Sequence, residues 1–308
     1  MSKSQSFRDL KAEYLKNSIA KPDFIQQAHS EFHAKLLSFA ADICETDIAA
    51  IEIRDNIVTM RTRLDNIVME VDPYDYRTAP IEALNFDHYE FVESSVVRRL
   101  AKSIDTMLDI GANIGWYSLL VALMNNESSV HAFEPIPRTF DRLKRHCHLN
   151  GASNITCHNF GLSSSAGSFP FYFYPEGSGN ASMRNLADRQ DAEVVECQLS
   201  TIDIFSSQLP PETRCDFIKC DVEGNELFVL QGGLDFLAHH KPILFLELLR
   251  KWSAPFGYHP NDVLSLLRDL GYMVFVSDSE AGLKPFGSVT DSTTETNYFF
   301  VHPDSRLR

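Results

Sequence analysis

Long apolar runs are missing from this chain of 308 residues. No stretch approaches the roughly 20 residues that a membrane-spanning helix needs. The opening MSKSQSFRDLKAEYLKN is polar and charged and holds no apolar core of a secretory leader, so a cytoplasmic protein with no membrane span is expected. Cysteine is sparse, at 44, 147, 157, 197, 215 and 220, with no C-x-x-C pair. The thiols therefore read as core filler in a reducing compartment. Positive charge is short: 28 Lys and Arg stand against 42 Asp and Glu, a formal net charge of −14. Such a surface repels phosphate backbones and anionic membranes, which disfavours nucleic acid as a partner. The locally basic RLKRHCH, with His146 and His148, reads as a solvated helix face. Repeats and low-complexity segments are also absent, and the length suits one large domain or one domain with a substantial extension.

What is present begins with SEFHAKLLSFAADICE, where Phe32, Leu36, Phe39, Ala40 and Ile43 recur at helical spacing and predict one buried stripe. In AAIEIRDNIVTMRTRLDNIVMEVDP, β-rich pieces are separated by Asp55-Asn56 and Asp65-Asn66, turn signals that predict a small antiparallel meander. From about residue 90 strands alternate with helices: TMLDI, SVHAF, ITCHNF, CDFIKC, PILFLEL, YMVFV and NYFFVHP are the strand candidates. Alternating units with buried, largely apolar strands predict an α/β fold built on a doubly wound, mostly parallel sheet. FPFYFY and VVECQLS interrupt the rhythm and predict an extra hairpin over the sheet edge.

In MLDIGANIGWYSLL the first strand ends in Asp109, Gly111 and Gly115 form the turn, and a helix starts near Trp116. Ligands of such sheets bind outside the carboxyl ends of the strands, where strand order reverses. Gly111 permits a tight fold of the backbone, Gly115 removes a Cβ from the path of helix and ligand, and Asn113 tolerates an unusual φ. A dinucleotide fingerprint would read G-x-G-x-x-G and cradle a pyrophosphate. Here the pattern is D-x-G-x-x-x-G, an acid and two glycines, which suits a ligand that carries positive charge. Glu134 follows the second strand, 19 residues after Gly115, placed like the acid that grips ribose hydroxyls. A nucleoside with a ribose, no pyrophosphate and a positive charge describes S-adenosylmethionine. The plainer reading is a pair of loop acids beside a tight turn.

The chain resembles the FkbM-type S-adenosylmethionine-dependent methyltransferases. The resemblance rests on YEFVE, LDIGANIGWYSLL, HAFEPIP, GLSSSAG, DFIKCDVEGNELFVLQGG and PILFLEL, and runs from about residue 76 to 276. It divides the chain into an N-terminal helix and β-meander extension, 1–75, and a methyltransferase domain, 76–308. It implies a class I Rossmann-like methyltransferase with a seven-stranded sheet whose last strand is antiparallel, a place NYFFVHP fits. It also implies cofactor contacts at Asp109, Gly111, Asn113, Gly115 and Glu134, with adenine near Leu162 and Ser163. Glu90 becomes a candidate near the methionine end, against a plainer role as an acid at a helix N-terminus. GLSSS departs from the family pattern, which would place an acid after the serine. The resemblance further suggests that PEGSGNASMRN is a flap over the site, where Asn180 and Ser182 suit a hydroxyl-rich acceptor; an inert surface loop is the alternative.

Methyl transfer mainly requires alignment of the nucleophile with a cationic methyl, plus a group to take a hydroxyl's proton. Asp221 and Glu223 follow the fourth strand and Glu247 ends the fifth, so three carboxylates gather at adjacent strand tips. That gathering is costly unless they bind a cation, share a proton or hold polar ligands. Asp221 is the first candidate for base or orienting group, followed by Glu223 and Glu247, although Asn225 could cap the next helix here. No histidine joins them at ligand spacing, so no metal is expected. His259, on a loop after the fifth strand, is the histidine best placed for an acceptor pocket, unless it merely starts a helix. Trp116 either packs on the ligand or fills the core.

The sequence thus points to an O-methyltransferase that uses S-adenosylmethionine on a small-molecule or glycan acceptor, most plausibly a sugar hydroxyl in a glycan or glycosylated natural product. N-methylation and peptide or lipid acceptors are the neighbouring readings. A nicotinamide-dependent oxidoreductase would need a third glycine and a Tyr-x-x-x-Lys or His arrangement, and neither is found. A binding module without turnover would keep the cofactor pocket alone. The extension could make a homo-oligomer interface or a wall for acceptor docking.

Overall fold

The structure is a computed structural model and describes residues 6–174, 177–186 and 191–307. Ser6 and Asp9 cap one another reciprocally to open α1 (Phe7–Leu15). α2 (Lys21–Ala28) continues through a π-helical turn, His29–His33, into α3 (Ala34–Asp42). The stripe expected to be buried is largely open instead: Leu36 is 64% and Phe39 38% exposed, while Phe32 and Ile43 are half-buried.

β1 (Ile48–Arg54), β2 (Ile57–Thr62) and β3 (Val68–Glu70) form the expected antiparallel meander. Asp55 and Asn56 both take left-handed φ, 50° and 67°, as a two-residue hairpin turn demands. At the second Asx pair only Asn66 is left-handed, and Asp65 grips Arg98 with both oxygens, at 2.7 and 2.6 Å. The meander is joined to the rest of the protein. The Val68 N–H donates to Asn150 Oδ1 at 2.8 Å, and Asn150 returns a bond to the Val68 carbonyl at 2.7 Å.

α4 (Ala79–Asn85) and α5 (Phe91–Ala101) lead into the alternating region. It runs β4 (Thr106–Ile110), α6 (Trp116–Met124), β5 (Ser129–Phe133), α7 (Pro137–Leu149) and β6 (Ile155–His158). After these come β7 (Gly161–Leu162), β8 (Gly167–Phe173), β9 (Glu193–Ser200) and α8 (Ile202–Ser206). The chain then makes β10 (Phe217–Cys220), α9 (Glu226–Gln231), α10 (Leu234–His240), β11 (Ile243–Glu247), α11 (Arg250–Ser253) and α12 (Pro260–Asp269). β12 (Met273–Ser277), β13 (Leu283–Pro285) and β14 (Asn297–Val301) complete it.

The main sheet is ordered β13-β12-β14-β11-β10-β4-β5-β6. Neighbours from β11 to β6 pair in parallel, and β14 inserts antiparallel between β11 and β12. The sheet therefore has eight strands rather than the seven expected, the addition being the short exposed edge strand β13. Strand order reverses between β4 and β10, so the crevice for a ligand opens there. Side chains alternate between the two faces. Met107, Phe217, Phe245 and Phe299 pack in the core under α5 and α6, while Leu108, Ile218, Leu244 and Phe300 pack with Val229, Leu237 and Val263 opposite. Each such side chain, fully buried, contributes roughly 1.5–3 kcal/mol. The interrupting hairpin is β8–β9, widened by β7 to three strands and packed through Phe171, Phe173 and Leu199 onto Ile136. Among the described residues no helix is long and apolar enough to cross a membrane.

His146 corrects an expectation. It is fully buried, with Nδ1 2.8 Å from the Ile114 carbonyl and Nε2 accepting the Glu70 N–H at 3.0 Å. A helix face that meets a strand edge needs such an acceptor, and the basic run around it concealed this. Burial holds the imidazole neutral and lowers its pKa from 6.5 to about 4. The neutral form stabilises the fold fully above pH 6.5, and that contribution is lost as pH falls from 6.5 toward 4. It amounts to about 3 kcal/mol. Glu134 and Glu226, raised to about 7 by burial, act in the opposite direction. We therefore expect His146→Gln to shed this acid-side loss relative to the parent, read from urea midpoints between pH 4 and 7. Parallel curves would show that His146 carries no proton linkage.

Candidate active site

The turn after β4 is shaped by contact between strand tips. Gly111 has φ +76°, and a Cβ there would lie 1.9 Å from the backbone oxygen of Asp221 at the tip of β10. Gly115 has φ +94°, and its Cβ would meet Leu143 of α7 at 2.6 Å. The second glycine thus admits the close packing of α7 against the turn. Asn113 is left-handed, φ 48°, and directs its N–H to the Glu134 carboxylate at 3.1 Å. Glu134 also accepts the Ile136 N–H at 2.9 Å, so two backbone amides lock its orientation just past β5. Burial raises its pKa to about 7 against the pull of those amides.

Above the tips of β4, β5, β10 and β11 lies a cavity of ≈ 240 Å³. Of the residues singled out in the sequence, Glu90, Gly111, Asn113, Glu134, Leu162, Asn180, Asp221, Glu223 and Glu247 line it. Glu90 stands at the start of α5 with φ 41°, makes no cap with its side chain, and accepts a hydrogen bond from the Tyr117 hydroxyl. Burial lifts its pKa to about 7. The described part of the expected flap does reach this cavity. Ser178 Oγ donates to Asp75 Oδ2 at 2.6 Å, and Gly179, Asn180 and Ala181 complete that wall. Pro175 and Glu176 of the flap lie outside the described residues.

Six expected site residues stand away from this wall. Asp109 is wholly buried beneath it, accepting from Ser118 Oγ at 2.6 Å and facing a smaller void shared with Lys219 and Asp221. Gly115 lies on the α7 side. Trp116 is a core residue, its Nε1 donating to Ser94 Oγ at 3.0 Å and its ring edge-on to Tyr89. Ser163 turns to Asn225 Oδ1 at 3.3 Å, and Ser182 donates to the Glu223 carbonyl at 2.8 Å. His259 is exposed and caps α12, with Nδ1 accepting the Asn261 N–H at 3.2 Å. A loop histidine followed by Pro-Asn-Asp is as well suited to capping as to catalysis, and here it caps. Asn225, considered as a cap for α9, makes no side-chain cap and donates to the Leu162 carbonyl. Glu226 holds that turn instead, accepting the N–H groups of Val222 at 3.0 Å and Gly224 at 3.1 Å.

Oxygens of Asp221, Glu223 and Glu247 lie within 4.8 Å of one another. Burial and the neighbouring charge of Asp221 push the Glu223 and Glu247 carboxyls well above the ordinary range. Lys219, which sequence reasoning missed, supports this cluster. It is 7% exposed, with Nζ 3.0 Å from Asp221 Oδ2 and 3.2 Å from the Gly111 carbonyl. Burial opposes its charge, but Asp221 and Asp109 outweigh that and hold it above the usual lysine value. The signal was visible: a lone cation in the otherwise apolar strand FIKC.

Residues 109–274 match the family described as the methyltransferase FkbM domain. Methyltransferase sdnD from Sordaria araneosa is 30% identical over 211 residues, which cover 60% of this chain and 80% of that protein. The hexuronic acid methyltransferase AglP from Haloferax volcanii is 32% identical over 180 residues, covering 58% of this chain and 68% of the relative. The crystal structure of a methyltransferase FkbM from Methylobacillus flagellatus aligns with a TM-score of 0.40 at 19% identity. That alignment covers 64% of this chain and less than half, 43%, of the other.

Proposed function

This chain belongs to the FkbM methyltransferase family, and from that premise we propose that it transfers the methyl group of S-adenosylmethionine to a hydroxyl, that of a sugar in a glycan or glycosylated natural product. One observation carries the reading. A single cavity joins a carboxylate locked by two backbone amides, Glu134, to the carboxylate cluster at the tips of β10 and β11. The similarity to a hexuronic acid methyltransferase supports a sugar as acceptor.

The residues fit the cofactor. Each Glu134 oxygen receives one amide N–H and keeps a lone pair, so the pair suits adjacent ribose hydroxyls. Glu90 is half-buried on the cavity wall and suits the cationic methionine end. Leu162 offers an apolar surface to adenine. When bound, S-adenosylmethionine supplies an electrophilic methyl on a sulfonium. Asp221, whose side chain is 31% exposed at the cavity, accepts the hydrogen of the acceptor hydroxyl and orients its oxygen for in-line attack. Lys219 keeps the Asp221 carboxylate in place through its 3.0 Å contact.

Glu134→Ala is expected to weaken S-adenosylmethionine binding by about 1–3 kcal/mol, roughly 5- to 150-fold in Kd. Isothermal titration calorimetry checks this, and an unchanged affinity would remove Glu134 from the ribose site.

A further inference from the structure

We propose that Asp221, Glu223 and Glu247 together bind one hard divalent cation, Mg²⁺ or Ca²⁺, on the acceptor side of the cavity. What the ion would hold there, acceptor oxygens, rests on the methyltransferase reading above; the existence of the site does not.

Geometry is the first ground. Ligand oxygens lie about 2.0–2.1 Å from Mg²⁺ and about 2.3–2.6 Å from Ca²⁺, so oxygens on opposite sides of one ion are about 4–5 Å apart. The three carboxylates offer oxygens within 4.8 Å of each other. That span matches Ca²⁺, and oxygens 4.8 Å apart would have to close by roughly 0.6–0.8 Å to sit on opposite sides of Mg²⁺.

The second ground is an orphaned buried group. Glu223 is 8% exposed, and its Oε2 is buried with no hydrogen-bond partner. An unpaired carboxyl oxygen in such a place is costly. The chain nevertheless holds the residue there deliberately. Glu223 has left-handed φ, 52°, its carbonyl accepts from Ser182, and the following Gly224 sits where a Cβ would lie 2.5 Å from the Trp252 carbonyl. Glu226 fixes the turn from below through two backbone N–H groups. A local backbone this constrained points the acid at the cavity whether or not anything neutralises it.

Charge is the third. Glu82, Glu90, Glu134, Asp221, Glu223 and Glu247 line the larger void and Asp109 and Asp221 the smaller, where Lys219 is the one cation. Arg77, on the rim of the larger, is exposed. A divalent cation would take the place of the protons that otherwise relieve the repulsion among these carboxyls. Absence of histidine is no objection, since hard cations prefer oxygen ligands. The unfilled coordination positions would face the cavity and favour acceptors that chelate through two neighbouring oxygens, such as vicinal hydroxyls or a hydroxyl beside a carboxylate.

The test uses Mn²⁺ as an electron-paramagnetic-resonance probe with the full chain and no cofactor. Mn²⁺ should bind once per chain and be displaced by Mg²⁺ or Ca²⁺. Glu223→Gln and Glu247→Gln should each weaken it at least tenfold, with circular dichroism showing both variants folded. No Mn²⁺ binding at millimolar concentration, or the parent affinity in both variants, overturns the site. S-adenosylmethionine affinity is measured on the same samples. Absence of Mn²⁺ binding in the parent chain with its cofactor binding intact defeats only the cation, and Mn²⁺ binding by a parent chain that binds no cofactor defeats only the methyltransferase reading.

Discussion

Asp221→Asn should lower methyl-transfer turnover by about 10²–10⁴-fold, the usual worth of a positioned acid or base, while S-adenosylmethionine still binds. Asparagine has the same shape and can still accept from Lys219, but it cannot take a proton. Lys219 would lose its nearest counter-ion, yet Asp109 and Glu90 also act on its charge, so the fold should survive. Breaking a buried pair costs about 3–5 kcal/mol, and the Asp221 side chain is 31% exposed, which places this loss below that range. Labelled cofactor incubated with a cell extract, followed by mass spectrometry, identifies the acceptor and then measures the rate. Turnover near the parent level would remove Asp221 from the chemistry. Excess Mn²⁺ separates the two roles open to this side chain. Restored turnover would make Asp221 chiefly a cation ligand, and persistent loss would make it the proton acceptor.

The sheet was legible because mostly apolar strands such as TMLDI and PILFLEL are satisfied by burial on both faces, and alternation with helices leaves a parallel sheet as the solution. The glycine turn and the strand-tip acids were legible for a related reason. Backbone contact and charge at a sheet's carboxyl end leave a mark in residue type. What stayed hidden depended on partners distant in sequence. His146 looks solvated until β3 is seen to need an acceptor 76 residues away. Lys219 looks like a surface residue until Asp109, Asp221 and the Gly111 carbonyl are seen around it. Leu36 and Phe39 have the spacing of a buried stripe, but periodicity reports that a face is apolar and says nothing of what covers it. Asp109 fits the family's cofactor pattern, yet in the structure its carboxylate is turned to Ser118, below the cavity wall.

Gly111→Ala should be the most destructive single-methyl change near the site, and Gly257→Ala supplies its control. Both glycines have similar positive φ, +76° and +82°, so the backbone strain of an L side chain, about 1–2 kcal/mol, is common to the two. At Gly257 a Cβ meets nothing within 4 Å, whereas at Gly111 it meets the Asp221 carbonyl at 1.9 Å. That carbonyl is backbone and cannot rotate aside, so the β4 and β10 tips must separate. The separation would pull apart the bond from the Asp221 N–H to the Ile110 carbonyl and the Lys219 contact with the Gly111 carbonyl. We expect Gly257→Ala to cost about 1–2 kcal/mol in urea denaturation, and Gly111→Ala to cost more than about 4 kcal/mol or to prevent folding. Equal losses in the two variants would refute the steric account. The same approach of the two strand tips sets Asp221 beside Lys219 at the reversal of strand order. A folded fraction of Gly111→Ala should therefore lose turnover along with stability, since the turn that shapes the crevice also places the carboxylate within it.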